Sequence, residues 1–191
     1  MIEIKLRRGS NMFQNARSRI IMAILTTCLG VGELSAQAVL QSYNSVNDSR
    51  LINPEDRNWL SYRGTLDGWG FSKLDQINDG NISELEPVWS FSTGVLGGHE
   101  SPPIVNDGVM FVTTPGNFLY AIEAATGDLL WRYQHNLPES YIAFHRTNRG
   151  VALYGDKVYM ATLDARVVAL DAATGEKVWD TPVQDNSFGY Y

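Results

Sequence analysis

Two charged residues in glycine-containing segments are the candidates in this sequence for binding a charged ligand. Glu100 follows Gly97-Gly98-His99, and Arg149 stands between Asn148 and Gly150. A guanidinium binds carboxylates through paired, charge-assisted hydrogen bonds. Taken singly, each residue also has an ordinary interpretation, Glu100 as an exposed loop carboxylate and Arg149 as a surface ion-pair partner that stabilises the fold little. A functional role therefore needs support from the surrounding sequence.

The other residues that could do chemistry form no recognisable site. His99, His135 and His145 have neither i,i+4 spacing nor a cysteine partner, so the sequence predicts no metal site from them. Cys28 is the single cysteine, which excludes an intrachain disulfide, and no Cys-x-x-Cys-His haem motif is present. The formal net charge of −6 gives no basic face for nucleic acid, so nucleic acid is not an expected partner.

A segment that occurs twice, 48 residues apart, predicts the fold. Leu119–Trp131 returns without a gap as Val167–Trp179, and Thr126-Gly127 aligns with Thr174-Gly175. A strand-rich repeat with a period of about 40–50 residues is typical of the blades of a β-propeller. The repeat therefore places the chain among repeat proteins built from small sheets.

Each copy of the repeat divides into four strands separated by turns. Asn106-Asp107-Gly108 is the strongest turn, because Asp-Gly tolerates the positive φ values of a tight hairpin. The first copy is predicted to have strands ending at 105 and covering 109–113, 118–122 and 129–133, and the second copy strands at 150–154, 158–162, 167–170 and 177–179. The fold class is therefore all-β, a β-propeller with four-stranded antiparallel blades, of which about two are present.

The repeated residues are predicted to build the blades and not to do chemistry. Ala121 and Ala169 are expected to be small because the third strand is packed closely between neighbouring blades. The two tryptophans, Trp131 and Trp179, are expected on an outer strand, where the flat ring can cover the turn of the next blade. The glycines at 127 and 175 are expected to serve those tight turns.

Three regions are predicted along the chain: a signal peptide over 1–38, a lead-in segment over 39–88 and a partial propeller over 89–191. Arg17 and Arg19 precede a short apolar run that ends in small residues at Ala36 and Ala38, a pattern typical of a secretory signal peptide. The alternative is an uncleaved N-terminal anchor. Within the lead-in, 39–58 is expected to be extended, 74–85 to contain a short helical turn, and 88–91 to form a strand.

The repeat Ala-x-(Glu/Asp)-Ala-x-Thr-Gly-(Asp/Glu)-x-x-Trp resembles the tryptophan-docking repeat of quinoprotein dehydrogenases, which are eight-bladed propellers that hold pyrroloquinoline quinone (PQQ) and oxidise alcohols. The same repeat occurs in a non-enzymatic scaffold, the propeller lipoprotein of the outer-membrane β-barrel assembly machinery. Three further segments resemble the alcohol-oxidising branch: the lead-in with 59–64, 71–77 and 85–89, the segment 97–105, and the segment 148–151. The resemblance covers 59–191.

The resemblance implies a function for both candidate residues. Its matched segments give Glu100 and Arg149 the role of PQQ-binding residues. The implied protein is a periplasmic dehydrogenase of the alcohol/methanol type, which transfers hydride from a small alcohol to PQQ and passes electrons to a cytochrome c or another acceptor. The resemblance also implies calcium or a lanthanide as the metal, and a peripheral membrane association is a further expectation. The family's catalytic aspartate and metal ligands are expected beyond Tyr191, so no catalytic or metal-binding residue is assigned here and the chain alone is expected to be inactive.

The sequence departs from the family in one place, and one alternative stays open. The methanol- and ethanol-oxidising members carry two adjacent cysteines where this chain has Ala143-Phe144, so the strained disulfide ring cannot form and Phe144 is expected to cover the quinone face instead. The alternative function is a non-enzymatic propeller scaffold of the outer-membrane assembly type. Charged residues at positions 100 and 149 favour the enzyme, because a scaffold does not need them there.

Overall fold

Two four-stranded antiparallel sheets form the centre of the molecule. The computed structural model describes residues 38–137 and 145–184. The first sheet contains β1 (Ile104–Asn106), β2 (Val109–Thr114), β3 (Phe118–Glu123) and β4 (Leu129–Gln134), and the second contains β5 (Val151–Tyr154), β6 (Lys157–Ala161), β7 (Arg166–Asp171) and β8 (Lys177–Pro182). In both sheets the strands follow one another in chain order. Each sheet is therefore a meander, and the prediction of about two propeller blades is confirmed.

Turn residues explain why the first strands of each blade pair as hairpins. Asp107 and Gly108 have φ values of 47° and 83°, which place both in the left-handed region that a two-residue hairpin requires. The resulting register puts Asn106 opposite Val109 and Ile104 opposite Phe111. Val109 and Phe111 are thereby aligned on the buried face of β2. The predicted Asp-Gly turn is confirmed.

One hydrophobic core extends through both blades, and the repeated alanines are buried on the third strand of each blade. Ala121 on β3 and Ala169 on β7 are both fully buried, as predicted for a strand packed between neighbours. Ala121 is paired across the sheet with Trp131, and Ala169 with Trp179. A β-bulge follows each pair, so the two blades share the same local irregularity as well as the same residues.

Each of two tryptophans docks on the turn of the blade that follows it. The indole Nε1 of Trp131 donates to Ala172 O at 3.0 Å, and its ring lies against Gly175. Trp89 repeats this contact one blade earlier, since its Nε1 donates to Ala124 O at 3.1 Å and its ring lies against Gly127. The predicted docking role is confirmed for Trp131, and Trp89 joins the series.

The strand predicted over 88–91 is wrong as secondary structure. These residues lie outside both sheets and pair with no strand among the described residues. Its two aromatic side chains are nonetheless used, Trp89 in docking and Phe91 in an edge-to-face contact with Tyr120 at 5.5 Å. The helical turn predicted within 74–85 is present as a 3₁₀ helix over Ile82–Glu84.

The start of the described chain is more regular than the extended lead-in that the sequence predicts. Residues 38–41 are helical, and a short helix covers Asp48–Ile52. The side chain of Asn47 caps this second helix by accepting a hydrogen bond from the backbone N–H of Arg50. Such a cap stabilises the helix, which explains why this stretch is not extended. Bridges from Val46 to Gly155 and from Trp59 to Val105 attach the lead-in to both blades.

The predicted signal peptide, apart from Ala38, lies outside the described residues, as do Ala143-Phe144 and the last residues of the chain. Within 38–137 and 145–184, no helix has both the length and the apolar character needed to cross a membrane.

Candidate functional site

Glu100 lies in the loop that leads into the first blade. This loop is held to the blade by Ser101, whose Oγ accepts a hydrogen bond from the backbone N–H of Thr113 on β2 at 3.0 Å. Contacts within the loop come from His99, whose ring nitrogens lie 3.1 Å from Thr93 Oγ1 and 3.0 Å from Gly97 O. The backbone around Glu100 is therefore fixed while its carboxylate is half exposed, at 50%.

Arg149 stands at the tip of a small turn that leads into the second blade. The side-chain oxygen of Asn148 accepts a hydrogen bond from the backbone of Gly150 at 3.2 Å, which closes an Asx turn around Arg149. Gly150 has a φ of 110°, a conformation that side-chain-bearing residues rarely adopt. The turn therefore exposes Arg149: the flanking Asn148 is buried, while the arginine side chain is 80% exposed.

The fold brings the two predicted residues together. Arg149 Nε donates to Glu100 Oε2 at 3.1 Å, although the residues are 49 positions apart in the sequence. An ion pair this exposed contributes little to stability, about 0–1 kcal/mol. Neither the two Nη groups of Arg149 nor Oε1 of Glu100 makes a hydrogen bond to any described residue. Within the described part of the chain, the pair therefore has donors and an acceptor that are not used by protein groups, at one point of the surface.

Arg149, but not Glu100, also lines a cleft. It has a volume of about 350 Å³ and is lined by His145, Thr147, Asn148, Arg149, Ala161, Thr162 and Leu163. The lining residues come from the entry to the second blade and from its β6–β7 connection. Among the described residues that line it, Arg149 is the one arginine or lysine, and hydroxyl and amide groups lie beside it together with Ala161 and Leu163. The cleft therefore offers one positive charge and several hydrogen-bonding groups in a partly apolar lining, which suits a ligand that carries carboxylates.

A buried polar network supports the cleft from below. Asn117 is fully buried in the β2–β3 turn, and its Oδ1 accepts from Asn148 Nδ2 at 3.3 Å and from the backbone of Leu163 at 3.2 Å. Its backbone oxygen accepts from the N–H of His135 at 3.0 Å. The network thus joins the first blade to the second directly under the site.

His135 has a structural partner that the sequence does not indicate. Its Nε2 lies 3.0 Å from Asp164 Oδ2, and both side chains are buried. Thr162 donates to the other oxygen of Asp164 at 2.6 Å. The histidine and the aspartate are 29 positions apart, and no spacing rule in the sequence connects them. Among the described residues there is no group of three or more side chains that could hold a metal ion.

The sequence reasoning missed Thr113, Asn117 and Asn148 as parts of this site. Asn148 carried a signal, since it precedes Arg149 in the matched segment and asparagine favours turns. Trp89 also carried one, because Trp89-Ser-Phe91 resembles Trp131-Arg-Tyr133 in its aromatic spacing. For Thr113 no local pattern distinguishes it from Thr114 beside it.

Comparison with known proteins identifies the family. Residues 59–184 match the model of the glucose/ethanol/alcohol dehydrogenase β-propeller domain, which is named for PQQ. A quinoprotein ethanol dehydrogenase from Pseudomonas putida is 42% identical over 137 residues, which cover 70% of this chain and 22% of the relative. The residues that match the family model include both blades and the loops that carry Glu100 and Arg149.

Two solved structures are similar to this one. A quinohemoprotein alcohol dehydrogenase from Pseudomonas putida HK5 has a TM-score of 0.69 at 37% identity, covering 74% of this chain and 22% of that chain. A europium-containing methanol dehydrogenase has a TM-score of 0.67 at 34% identity, covering 73% of this chain and 25% of that chain. The chain thus spans about a quarter of the length of the relatives that it matches.

These relatives carry the names of dehydrogenases, so the comparisons do not favour the non-enzymatic scaffold. The family model covers the lead-in from Trp59 and both blades, and the fold of the described residues agrees with it. The chain therefore belongs to the family of PQQ glucose/ethanol/alcohol dehydrogenase β-propeller domains.

Proposed function

We propose that the full-length protein carrying this chain is a PQQ-dependent dehydrogenase that oxidises small alcohols. The observation that carries the proposal is the pairing of Glu100 with Arg149, which lines a cleft, at the two positions to which the family resemblance assigns cofactor binding. The names of the relatives support an alcohol as the substrate, since they include ethanol and 1-butanol dehydrogenases.

The residues present fit such a cofactor. PQQ is planar and carries three carboxylates, and the two Nη groups of Arg149, which bond to no described residue, form the fork that binds a carboxylate through two hydrogen bonds. The exposure of Arg149, at 80%, leaves this fork accessible from the cleft. The cleft volume of about 350 Å³ is within the usual range for small-molecule sites, which is about 300–1,000 Å³.

In this proposal the residues of the chain bind and orient the cofactor and do not transfer protons. Arg149 binds a carboxylate or quinone oxygen, and Glu100 fixes the guanidinium through its Nε while offering Oε1 as an acceptor to the ligand. When bound, PQQ supplies the two-electron acceptor for the oxidation of the alcohol. Calcium or a lanthanide is the proposed metal of the full-length protein, and its ligands are not found among the described residues of this chain.

A titration of the full-length protein with PQQ tests this function. Arg149→Ala should raise the Kd about 10- to 100-fold, since hydrogen bonds to a charged group contribute about 1.5–3 kcal/mol. Arg149→Lys should lie between the two, because it keeps the charge and loses the fork. Arg146→Ala is the matched control, since Arg146 lies in the same exposed loop and its side chain makes no hydrogen bond to the described residues.

The result that would contradict the proposal is a Kd for Arg149→Ala equal to that of Arg146→Ala. Failure of the wild-type protein to bind PQQ would contradict it as well. Activity with ethanol and 1-butanol in the reconstituted protein then tests the substrate class.

We further propose export to the periplasm by the segment 1–38, transfer of electrons to a cytochrome c or another acceptor, and a peripheral association with the membrane. The export proposal rests on the charged, apolar and small-residue order of the N-terminus. The name quinohemoprotein, carried by one of the structural relatives, supports a haem acceptor. Cell fractionation with N-terminal sequencing checks the first of these, and intact protein in the cytoplasm would contradict it.

A further inference from the structure

Thr113 on β2 makes a hydrogen bond to each of the two loops that carry the site. Its backbone N–H donates to Ser101 Oγ at 3.0 Å, and Ser101 follows Glu100. Its hydroxyl donates to the backbone oxygen of Asn148 at 3.3 Å, and Asn148 precedes Arg149. Thr113 is fully buried, so water does not compete for either bond. One residue therefore connects the loop before the first blade to the loop before the second.

The two loops also lie close together at a second point. A Cβ added at Gly150 would lie only 3.4 Å from Cδ of Pro102. On the far side, Asn148 Nδ2 donates to Ala161 O at 2.8 Å, which anchors the Arg149 loop to the second blade. Thr113 is thus a buried hydrogen-bonding link between the two loops, beneath the exposed bond from Arg149 to Glu100.

The exposed ion pair cannot set its own geometry. Arg149 and Glu100 are 80% and 50% exposed, and two long side chains at such exposure gain little from holding one arrangement. Their separation must therefore come from the backbone beneath them. That backbone is connected by the two bonds of Thr113.

We propose that Thr113 is a positioning residue that sets the separation of Glu100 and Arg149 for PQQ. This inference rests on the proposed function, because it concerns the same site. Thr113 does not contact the cofactor in this proposal. It acts through its hydrogen bonds to Ser101 and Asn148, which belong to the two loops of the site. A misplacement of about 1 Å at a binding group is enough to lower the affinity for a ligand measurably.

The neighbouring residue supplies a matched control. Thr114 is also fully buried on β2, but its hydroxyl donates to the oxygen of Pro115, the next residue, at 3.4 Å. Removing that hydroxyl leaves both site loops untouched. Valine replaces either threonine with nearly the same branched shape, so the strand is kept and only the hydroxyl is lost.

The experiment measures PQQ affinity and thermal unfolding in the full-length protein. Thr113→Val should raise the Kd for PQQ about 3- to 10-fold, because the free energy of one buried hydrogen bond corresponds to a change of about this size in a dissociation constant. Thr113→Ser keeps the hydroxyl and should restore the wild-type Kd. Thr114→Val should lower the Tm about as much as Thr113→Val does while leaving the Kd unchanged. This difference separates positioning from a loss of stability.

The outcomes distinguish this inference from the function on which it rests. If Arg149→Ala weakens PQQ binding while Thr113→Val and Thr114→Val give the same Kd, the positioning role is wrong and the proposed function stands. If Arg149→Ala has no effect, the proposed site itself is wrong. Should Thr113→Val fail to fold, Ser101→Ala decides, because it removes the acceptor on the Glu100 loop without changing a strand. An unchanged Kd in that variant overturns the proposal.

Discussion

Replacing Gly175 by alanine is expected to lower the free energy of unfolding by about 2–5 kcal/mol. Gly175 has a φ of 72°, and the left-handed region costs a residue with a Cβ about 1–2 kcal/mol. The new Cβ would also lie 2.6 Å from two ring atoms of Trp131, well inside van der Waals contact. Overpacking of this kind costs about 1–3 kcal/mol more.

The ring of Trp131 cannot easily move aside to relieve this overlap. Its Nε1 is bonded to Ala172 O at 3.0 Å, its centroid lies 5.8 Å from that of Phe111, and the residue is 9% exposed. Movement would therefore break a hydrogen bond and open the core between the blades. We therefore expect the clash to lower the free energy of unfolding and not to be relieved by a local shift of the ring.

Gly155→Ala is the matched control for this prediction. Gly155 has a φ of 61°, and an added Cβ would meet no heavy atom within 4 Å. It should therefore show the backbone cost alone, about 1–2 kcal/mol. Urea unfolding followed by circular dichroism measures both variants, and the difference between them isolates the contact with Trp131.

A double-mutant cycle shows whether the reasoning is correct. In a Trp131→Leu background, which removes the rigid ring, Gly175→Ala should cost no more than Gly155→Ala does. Equal costs for the two glycine variants in the wild-type background would refute the argument, as would a coupling energy of zero between positions 131 and 175.

Two further predictions concern ionisable groups. Hydrogen bonds from Arg50 lower the pKa of Glu55 from 4.5 to about 2, so its carboxylate stabilises the fold above pH 4.5 and this stability is lost as the pH falls towards 2. In urea unfolding between pH 6 and 2, the free energy of unfolding of Glu55→Gln should therefore fall less steeply than that of the wild type. Equal slopes for the two proteins would contradict this prediction. His135→Leu should cost about 1–3 kcal/mol because it removes one partner of the buried carboxylate of Asp164, and adding Asp164→Leu should restore part of this. A double variant less stable than the single one would count against that pairing.

The blades could be predicted from the sequence because their signals are local. The Asp107-Gly108 turn fixes a hairpin within a few residues, and the spacing from Ala121 to Trp131 fixes the pairing of the third and fourth strands. Strand bounds followed within a few residues of those predicted. The docking of Trp131 on the next turn could also be inferred, because a repeat implies a neighbour.

The site could be predicted only in part. Glu100 and Arg149 were assigned through the family resemblance, and their contact joins residues 49 positions apart that no local pattern relates. The bonds of Thr113 reach 12 and 35 positions away, so nothing near it in sequence reveals them. For the segment 88–91 the sequence predicted a strand that the structure does not have, because its alternating aromatic residues, Trp89 and Phe91, make side-chain contacts without backbone pairing.

The separation of Glu100 from Arg149 depends on how one blade lies on the other, because each residue leads into a different sheet. Two contacts at different places oppose a rotation of the second blade: Trp131 on the turn that contains Gly175, and Thr113 beneath the loops of the site. Trp131, which is repeated for structural reasons, would thereby also limit the geometry of the proposed site. Since a ligand held by both charged residues gains affinity only if their separation is fixed beforehand, substitutions that loosen either contact should weaken binding without touching the ligand.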